Sequence, residues 1–475
     1  MSESMPQHTC FSSNMTQLLL MSFVVFACPG MFNALNSIGL GGDPAMGRIV
    51  NTCLYGTWML TSSFAPTVVN VMGAKWAMLF GTLGYPIYSL AMFYHRRVWA
   101  VLAGCLLGLS AGLLWTAQGQ LMMSYPDKTR VARFVAIFWG IFNSGGVLGC
   151  LMAFFINIDD DAEGSKASGG VSLSAATYWM FFTIMCCGAA LSMVLLPLNR
   201  VTRKTTGGQV ECVLDAPAET GQTAETPSMD LLLREIRRTR RAFGNPVMLL
   251  LIPFMFYSNF FYEYHFGMIG ALFNGRTGSL TAALYWIAQI LGSFILQAFL
   301  DWDGWSLERR MRLSFVGIMT YVAATWTFGG YIQYSYTVSD TIQGLDINGQ
   351  SKSPIAAMVC LCLWGFVDSF VQVWSYWMMS QLSDVPEELA CFTAFYKLWQ
   401  NAGAFCSFLL GLQRSYVLSF WVNIALIGLL IPPTSLAIIR ARTGSAAAKE
   451  EKATACACDA DTNSTSSTTE NSEQP

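Results

Sequence analysis

Apolar runs of about 20 residues, the length a helix needs to cross a bilayer, alternate with short polar connectors along most of the chain. Twelve such runs lie near 15–36, 49–70, 76–94, 98–122, 132–156, 174–197, 246–267, 277–300, 312–335, 354–380, 389–411 and 416–438. The pattern predicts an all-α membrane protein with twelve transmembrane helices. The stretch from Gly112 to Gly149 holds the end of one apolar helix, a short basic hinge (Tyr125-Pro126-Asp127-Lys128-Thr129-Arg130) and the start of the next helix. Gly104, Gly108 and Gly112 recur every four residues on one helix face, and Gly145 and Gly149 repeat that spacing past the hinge. A stripe of small residues lets two helix backbones approach closely in a membrane, so these glycines are predicted to be packing positions.

The runs group into two halves of near-equal length, 15–197 and 246–438, between a short N-terminal segment (1–14), a long central loop (198–245) and a tail (439–475). Two six-helix halves joined by one long loop is the layout of the major facilitator superfamily, whose halves are parallel repeats about an axis along the membrane normal. In the central loop, residues 203–227 are rich in Thr, Gly, Ala and Glu and are expected to be disordered. From Ser228 the chain reads SMDLLLREIRRTRRAF, an amphipathic helix with Ser228 as a candidate N-cap and Arg234, Arg237, Arg238, Arg240 and Arg241 following. It reads either as a helix on an anionic lipid leaflet or as a solvated basic helix. The tail from Thr443 is rich in Ala, Ser, Thr and Glu and is also expected to be disordered.

Charge placement then orients the bundle. Only 12% of the 475 residues are charged and 53% are hydrophobic, against about 25% charged in soluble domains. Odd-numbered loops carry Arg48, Arg96, Arg97, Lys166, Arg276, Lys352 and Arg414, whereas even-numbered loops, the central loop and the tail carry more than twice as many basic residues. By the positive-inside rule both termini face the cytosol. In that orientation the sequons Asn14-Met15-Thr16 and Asn463-Ser464-Thr465 escape glycosylation. The first 47 residues contain no Lys or Arg, which argues against a cleaved signal peptide.

Several classes of function find no material. Ten of the 14 cysteines fall inside predicted spans, where Cys behaves as a small hydrophobe, and no Cys/His spacing suggests a metal. Cys456 and Cys458 in the tail are candidate palmitoylation sites that lack a juxtamembrane position. With no Walker sequence, dinucleotide fingerprint or nucleophile elbow, and with three histidines in all, neither an enzyme, a cofactor nor a nucleic-acid partner is expected. Membrane lipids are the expected surroundings.

Polar groups inside the spans are the functional candidates, because a charge in the bilayer costs at least ~2.5–3.5 kcal/mol. Asp368 lies mid-span with Gln372 one turn on, and Lys397 lies in the next span beside Gln400 and Asn401. Since these two spans run in opposite directions, Asp368 and Lys397 fall within about 10 Å of the same depth. A charge pair between them would serve either transport or simple helix locking. Glu263, with Asn259 a turn before it, falls near the outer end of its span. It is either wetted at a cavity mouth or a protonatable coupling group. Pro29-Gly30 predicts a kink in the first span, followed by Asn33 and Asn36. Facilitator cavities are lined mainly by spans 1, 4, 7 and 10, and Asn33, Asn36, Gln118, Asn259, Glu263, Asp368 and Gln372 all fall there. Asn143, Gln289, Gln297 and Asn401 lie elsewhere.

Four stretches, GMFNALNSIGLGG (30–42), LLWTAQGQLMMSYPDKTRVARF (113–134), FWGIFNSGGVLG (138–149) and ALFNGRTGSLTAALYWIAQILGS (271–293), resemble the uncoordinated-93-like family of ion-channel regulatory type, in its fungal branch. The resemblance implies a facilitator fold. The facilitator signature between spans 2 and 3, GxxxDxxGRR/K, is degraded here: Pro66 stands for the Gly and Asn70 for the Asp, leaving Gly73 and Lys75. The matching loop of the second half keeps Asp301 with Arg309, Arg310 and Arg312, which resembles the latch with altered spacing. Animal relatives are regulatory or trafficking partners of channels and receptors. Two functions are therefore expected: a secondary transporter of a small solute working by alternating access, or a non-transporting adaptor bound to another membrane protein.

Overall fold

The computed structural model describes residues 9–37, 44–94, 96–156, 175–204, 210–213, 229–339, 343–349, 352–413 and 415–466. Twelve helical spans follow the apolar runs. Span 1 is Asn14–Ser37, span 2 is Pro44–Met72, and span 3 is built from Ala74–Thr82 and Gly84–Phe93. Spans 4, 5 and 6 are Arg97–Ser124, Val131–Ile156 and Ala175–Ser192. Span 7 is made of three short helices, Pro246–Leu250, Ile252–Phe260 and Tyr262–Leu272. Spans 8 to 11 are Gly275–Leu300, Leu307–Ser335, Ile355–Ser380 and Pro386–Gly411, and span 12 is the Tyr416–Ala441 part of a longer helix.

Seven of these (1, 4, 5, 8, 9, 10 and 12) are long and apolar enough to cross a membrane by length and composition alone. The others are broken, shorter or more polar. Spans 2 and 11, for example, carry Asn51, Thr57, Thr61, Lys397, Gln400 and Asn401. The outer surface exposes Leu60, Phe64, Leu102, Leu109, Leu291, Ile295, Val359 and Leu429. So continuous an apolar surface is a lipid-facing one.

Span 1 bears out the effect of Pro29, which cannot donate to the helix ladder: Phe26–Gly30 winds as a π-helical turn. The glycine stripes are packing surfaces. Gly104 and Gly112 face Val50 and Thr61 of span 2, and a Cβ on Gly108 would run into Thr57 and the Leu54 carbonyl. A Cβ on Gly145 would lie 2.8 Å from the Gly30 Cα, so spans 1 and 5 meet backbone to backbone. Gly108→Val is accordingly expected to lower stability by about 1–3 kcal/mol through overpacking. Gly270→Ala, where nothing lies within 4 Å of the new methyl, leaves the melting temperature of the purified protein unchanged.

The central loop differs from expectation at its start. Thr202–Lys204 and Val210–Cys212 pair as a small antiparallel hairpin with an Arg203–Glu211 ion pair of 2.5 Å. The Thr202 N–H donates to the Ser12 carbonyl, which ties the loop to the start of span 1. Residues 205–209 and 214–228 lie outside the described residues. The amphipathic helix forms as Met229–Phe243. The helix of span 12 continues to Ser466, into the tail expected to lack order; GSAAAKEEKATACA there is rich in strong helix formers.

The halves meet along two seams, span 2 against span 11 and span 5 against span 8. With an even number of spans, the start of span 1 at Asn14 and the end of span 12 at Ala441 lie at one end of the bundle, called the terminal end below.

Candidate functional site

Midway along the bundle, burial forces each polar side chain to find a partner. Asp368 is fully buried. Its Oδ1 accepts from Gln372 Nε2 at 2.6 Å and from Tyr262 Oη at 3.4 Å. Its Oδ2 accepts from Gln289 Nε2 at 2.6 Å and Tyr285 Oη at 3.0 Å. Gln372 sits one helical turn along, as its spacing dictates, while spans 7 and 8 supply the others. Gln289 also reaches across to the first half: its Oε1 accepts from Trp139 Nε1 at 3.3 Å and Asn143 Nδ2 at 3.2 Å. The carboxylate therefore orients an amide that bridges the two halves.

Lys397 is 2% exposed. Its ammonium donates to Gln400 Oε1 at 2.7 Å and lies 4.4 Å from the Trp115 ring centroid, 5.2 Å from Tyr396 and 5.5 Å from Tyr376. A desolvated cation over aromatic faces gains about 2 kcal/mol per good contact, and Trp115 belongs to the opposite half. Asp368 and Lys397 interact electrostatically but do not touch. Gln400 Nε2 donates to Gln372 Oε1 at 3.0 Å, so a chain Lys397–Gln400–Gln372–Asp368 links them. The side chains at these depths are too far apart for the direct pair that helix rise alone allows.

A central cavity lies beside this chain, with about 40 Å³ open to water centres, room for a few waters. Amides from Asn33, Asn259, Gln289, Gln372 and Gln400, the Lys397 amine and the rings of Tyr55, Trp58, Trp115 and Trp286 line it. It draws on spans 1, 2, 3, 4, 5, 7, 8, 10 and 11. Of the seven cavity candidates read from the sequence, Asn33, Asn259 and Gln372 face it, as does Lys397. Asp368 lies behind its donors, and Gln118 packs with Met122 and Tyr376. Asn36 accepts from Asn51 at 3.0 Å. Gln289, set aside on span number, proves central; an intramembrane carboxylate needs buried donors, which was the signal for it.

Both ends of the bundle are bridged between halves. Away from the termini, Arg48 Nε meets Glu263 Oε1 at 3.1 Å and Arg48 also reaches Tyr416 Oη at 3.4 Å. Glu263 is 4% exposed and packed on Gly411, so it is not wetted at a mouth. At the terminal end, Lys128 reaches the carbonyls of Ser380 and Ser383 and lies 3.1 Å from Asp384. Asp301 accepts the N–H groups of Ala132 at 3.2 Å and Arg133 at 2.8 Å, the first turn of span 5, where a helix dipole favours negative charge. Arg310 donates to the Leu300 carbonyl at 2.7 Å, Arg309 offers its N–H to Ser306, and Arg312 is exposed. On the other seam, Gly73 (φ +86°) makes the turn that favours glycine and Lys75 lies over Trp76. Asn70 Nδ2 donates to the Glu387 carbonyl at 3.3 Å.

Burial pushes the Asp301 carboxyl up to about 6, against the opposing pull of the Arg133 and Ala132 N–H groups. Its pKa is thus higher in the folded protein than in water, where it is about 3.9. Its stabilising share is present below about 4 and lost as pH rises through about 6. The melting temperature of Asp301→Asn is expected to vary less with pH than that of wild type across this window.

The seams, the central polar cluster and the lipid-facing surface define an integral multi-pass membrane protein of major facilitator fold. The chain belongs to the UNC-93 family: a profile described as "Ion channel regulatory protein UNC-93" matches residues 43–436. UNC93-like protein 1 of Arabidopsis thaliana is 33% identical over 405 residues, covering 83% of each chain. UNC93-like protein C922.05c of Schizosaccharomyces pombe is 31% identical over 406 residues, covering 83% of this chain and 76% of its own. Among solved structures, the fucose:proton symporter FucP of Escherichia coli superposes with a TM-score of 0.58 at 10% identity over 91% of this chain and 99% of its own, which speaks for the fold alone.

Proposed function

We propose that the protein is a secondary transporter of a small solute, with both termini in the cytosol and the halves rocking about the central cavity. One observation carries the reading: each end of the bundle has its own inter-half bridges, Arg48–Glu263 at one and Lys128 and Asp301 at the other. Bridges separable in this way are what alternating access needs, because one set must break while the other holds. The cavity has space for only a few waters, so the halves must separate to admit a solute. In the proposed cycle, a solute in the cavity meets the amides and Lys397. Protonation of Asp368 on Oδ2 puts a hydroxyl where the Gln289 amide donates, loosening the hold of Gln289 on Trp139 and Asn143. That couples the binding residues to the relative position of the halves.

The family profile's description as a channel regulator favours a second reading, a non-transporting adaptor. A thermal-shift screen of the purified protein against a solute library, followed by flux into proteoliposomes, separates the two. A stabilising solute that also crosses the membrane supports transport. A stoichiometric channel or receptor co-purifying in mild detergent, with no stabilising solute, supports the adaptor.

A further inference from the structure

We propose that the central helix Met229–Phe243 docks on the anionic headgroups of the bilayer and, through Glu235, holds the terminal end closed. The helix has two working faces. Its inner face lies across the span 2–span 11 seam: Thr239 Oγ1 is 3.3 Å from Thr67 Oγ1 and 3.7 Å from Cys391 Sγ, and the Phe243 ring meets Phe395 at 5.0 Å. Thr67 and Cys391 each sit five residues inside their helices. At 1.5 Å per residue that is about 8 Å from the helix ends, so the helix packs against the sides of these spans rather than beyond them.

Glu235 lies on this face, 2% exposed. Its carboxylate accepts from Asn70 Nδ2 at 2.9 Å and from Arg238 at 2.6 Å. The internal repeat shows why it matters. At the end of span 8, Asp301 brings a carboxylate to the first turn of span 5. At the corresponding end of span 2 the chain has Asn70, which bonds the Glu387 carbonyl at the start of span 11 but carries no charge. Glu235 brings the missing carboxylate to that seam from a third element.

The outer face exposes Met229, Leu232, Leu233 and Ile236. At 100° per residue these form one strip, with Arg237, Arg240 and Arg241 alongside it. The three arginines are exposed and make no ion pair among the described residues. An apolar strip edged with cations fits a negatively charged bilayer surface, which attracts each basic residue by about 1 kcal/mol. Neither the docking nor the clamp depends on solute flux.

The full-length protein, reconstituted in phosphatidylcholine vesicles with and without 30 mol% phosphatidylserine in both leaflets, provides the test. Hydrogen exchange of the amides in Met229–Phe243 and a spin-label distance across the terminal end are read together. Phosphatidylserine is expected to slow exchange several-fold and to narrow the distance toward the closed value. Arg237→Gln/Arg240→Gln/Arg241→Gln, at exposed positions, loses both effects. Glu235→Gln keeps the exchange protection and loses the closure. Equal exchange in the two lipids, protection unaltered in the triple variant, or the same protection from soluble glycerophosphoserine without anionic lipid overturns the proposal.

Discussion

Asp368→Ala is expected to lower the melting temperature by several degrees and to abolish the flux of any solute the wild-type protein carries. The substitution takes the acceptor from the half-buried Tyr262 and from three buried donors on Tyr285, Gln289 and Gln372. Each buried donor left without a partner costs about 1–3 kcal/mol. The full sum is not expected, because Gln372 Nε2 also donates to Tyr262 Oη at 3.0 Å and keeps that acceptor. A net loss of about 3 kcal/mol is the expectation. Asp368→Asn keeps one carbonyl acceptor and sets its amide N–H groups against a glutamine donor, so it falls between wild type and Ala in stability. Thermal unfolding of the three proteins in one detergent gives the order, and a ranking with Ala at wild-type stability contradicts it.

The second large effect concerns the end away from the termini. Arg48 and Glu263 are a largely buried inter-half ion pair, and removing one member of such a pair costs about 3–5 kcal/mol because the other charge stays buried. Glu263→Met and Arg48→Met are each expected to destabilise strongly. The double variant recovers much of the loss, since two apolar side chains of similar volume need no counter-charge. A double-mutant cycle on melting temperature measures this; simple additivity would show that the two charges are stabilised by other neighbours.

Much of the fold was legible because hydrocarbon imposes a strict rule: a crossing segment must be apolar and satisfy its own backbone. The apolar runs, Pro29 and the glycine stripes follow from that rule directly. Of the two breaks in span 7, the one at Leu251 lies beside Pro253, whose missing N–H interrupts the ladder, whereas the one at Phe261 has no such marker in the sequence. The hairpin at Thr202–Lys204 is held by Ser12, a contact made at a distance of 190 residues. The candidate site was half legible. Asp368, Lys397 and Glu263 stand out as charges among apolar neighbours. Their partners do not: Arg48 reads as an ordinary loop charge, and nothing in the sequence sets Tyr262, Tyr285 and Trp115 apart from the other aromatics. Lys397 and Asp368 match in depth, yet Gln372 and Gln400 fill the gap. Depth is readable from helix rise, but azimuth is not.

The most direct test of the transport account is a pair of inter-half distance measurements by pulsed electron resonance in lipid nanodiscs, in a variant with native cysteines replaced. Labels at Trp76→Cys and Arg309→Cys span the terminal end, and labels at Arg97→Cys and Ile347→Cys span the other; all four native side chains are exposed. The account predicts two populations at each end, short and long, with Glu263→Gln shifting the far end to long and the terminal end to short. A single distance at both ends, unmoved by Glu263→Gln, would contradict it.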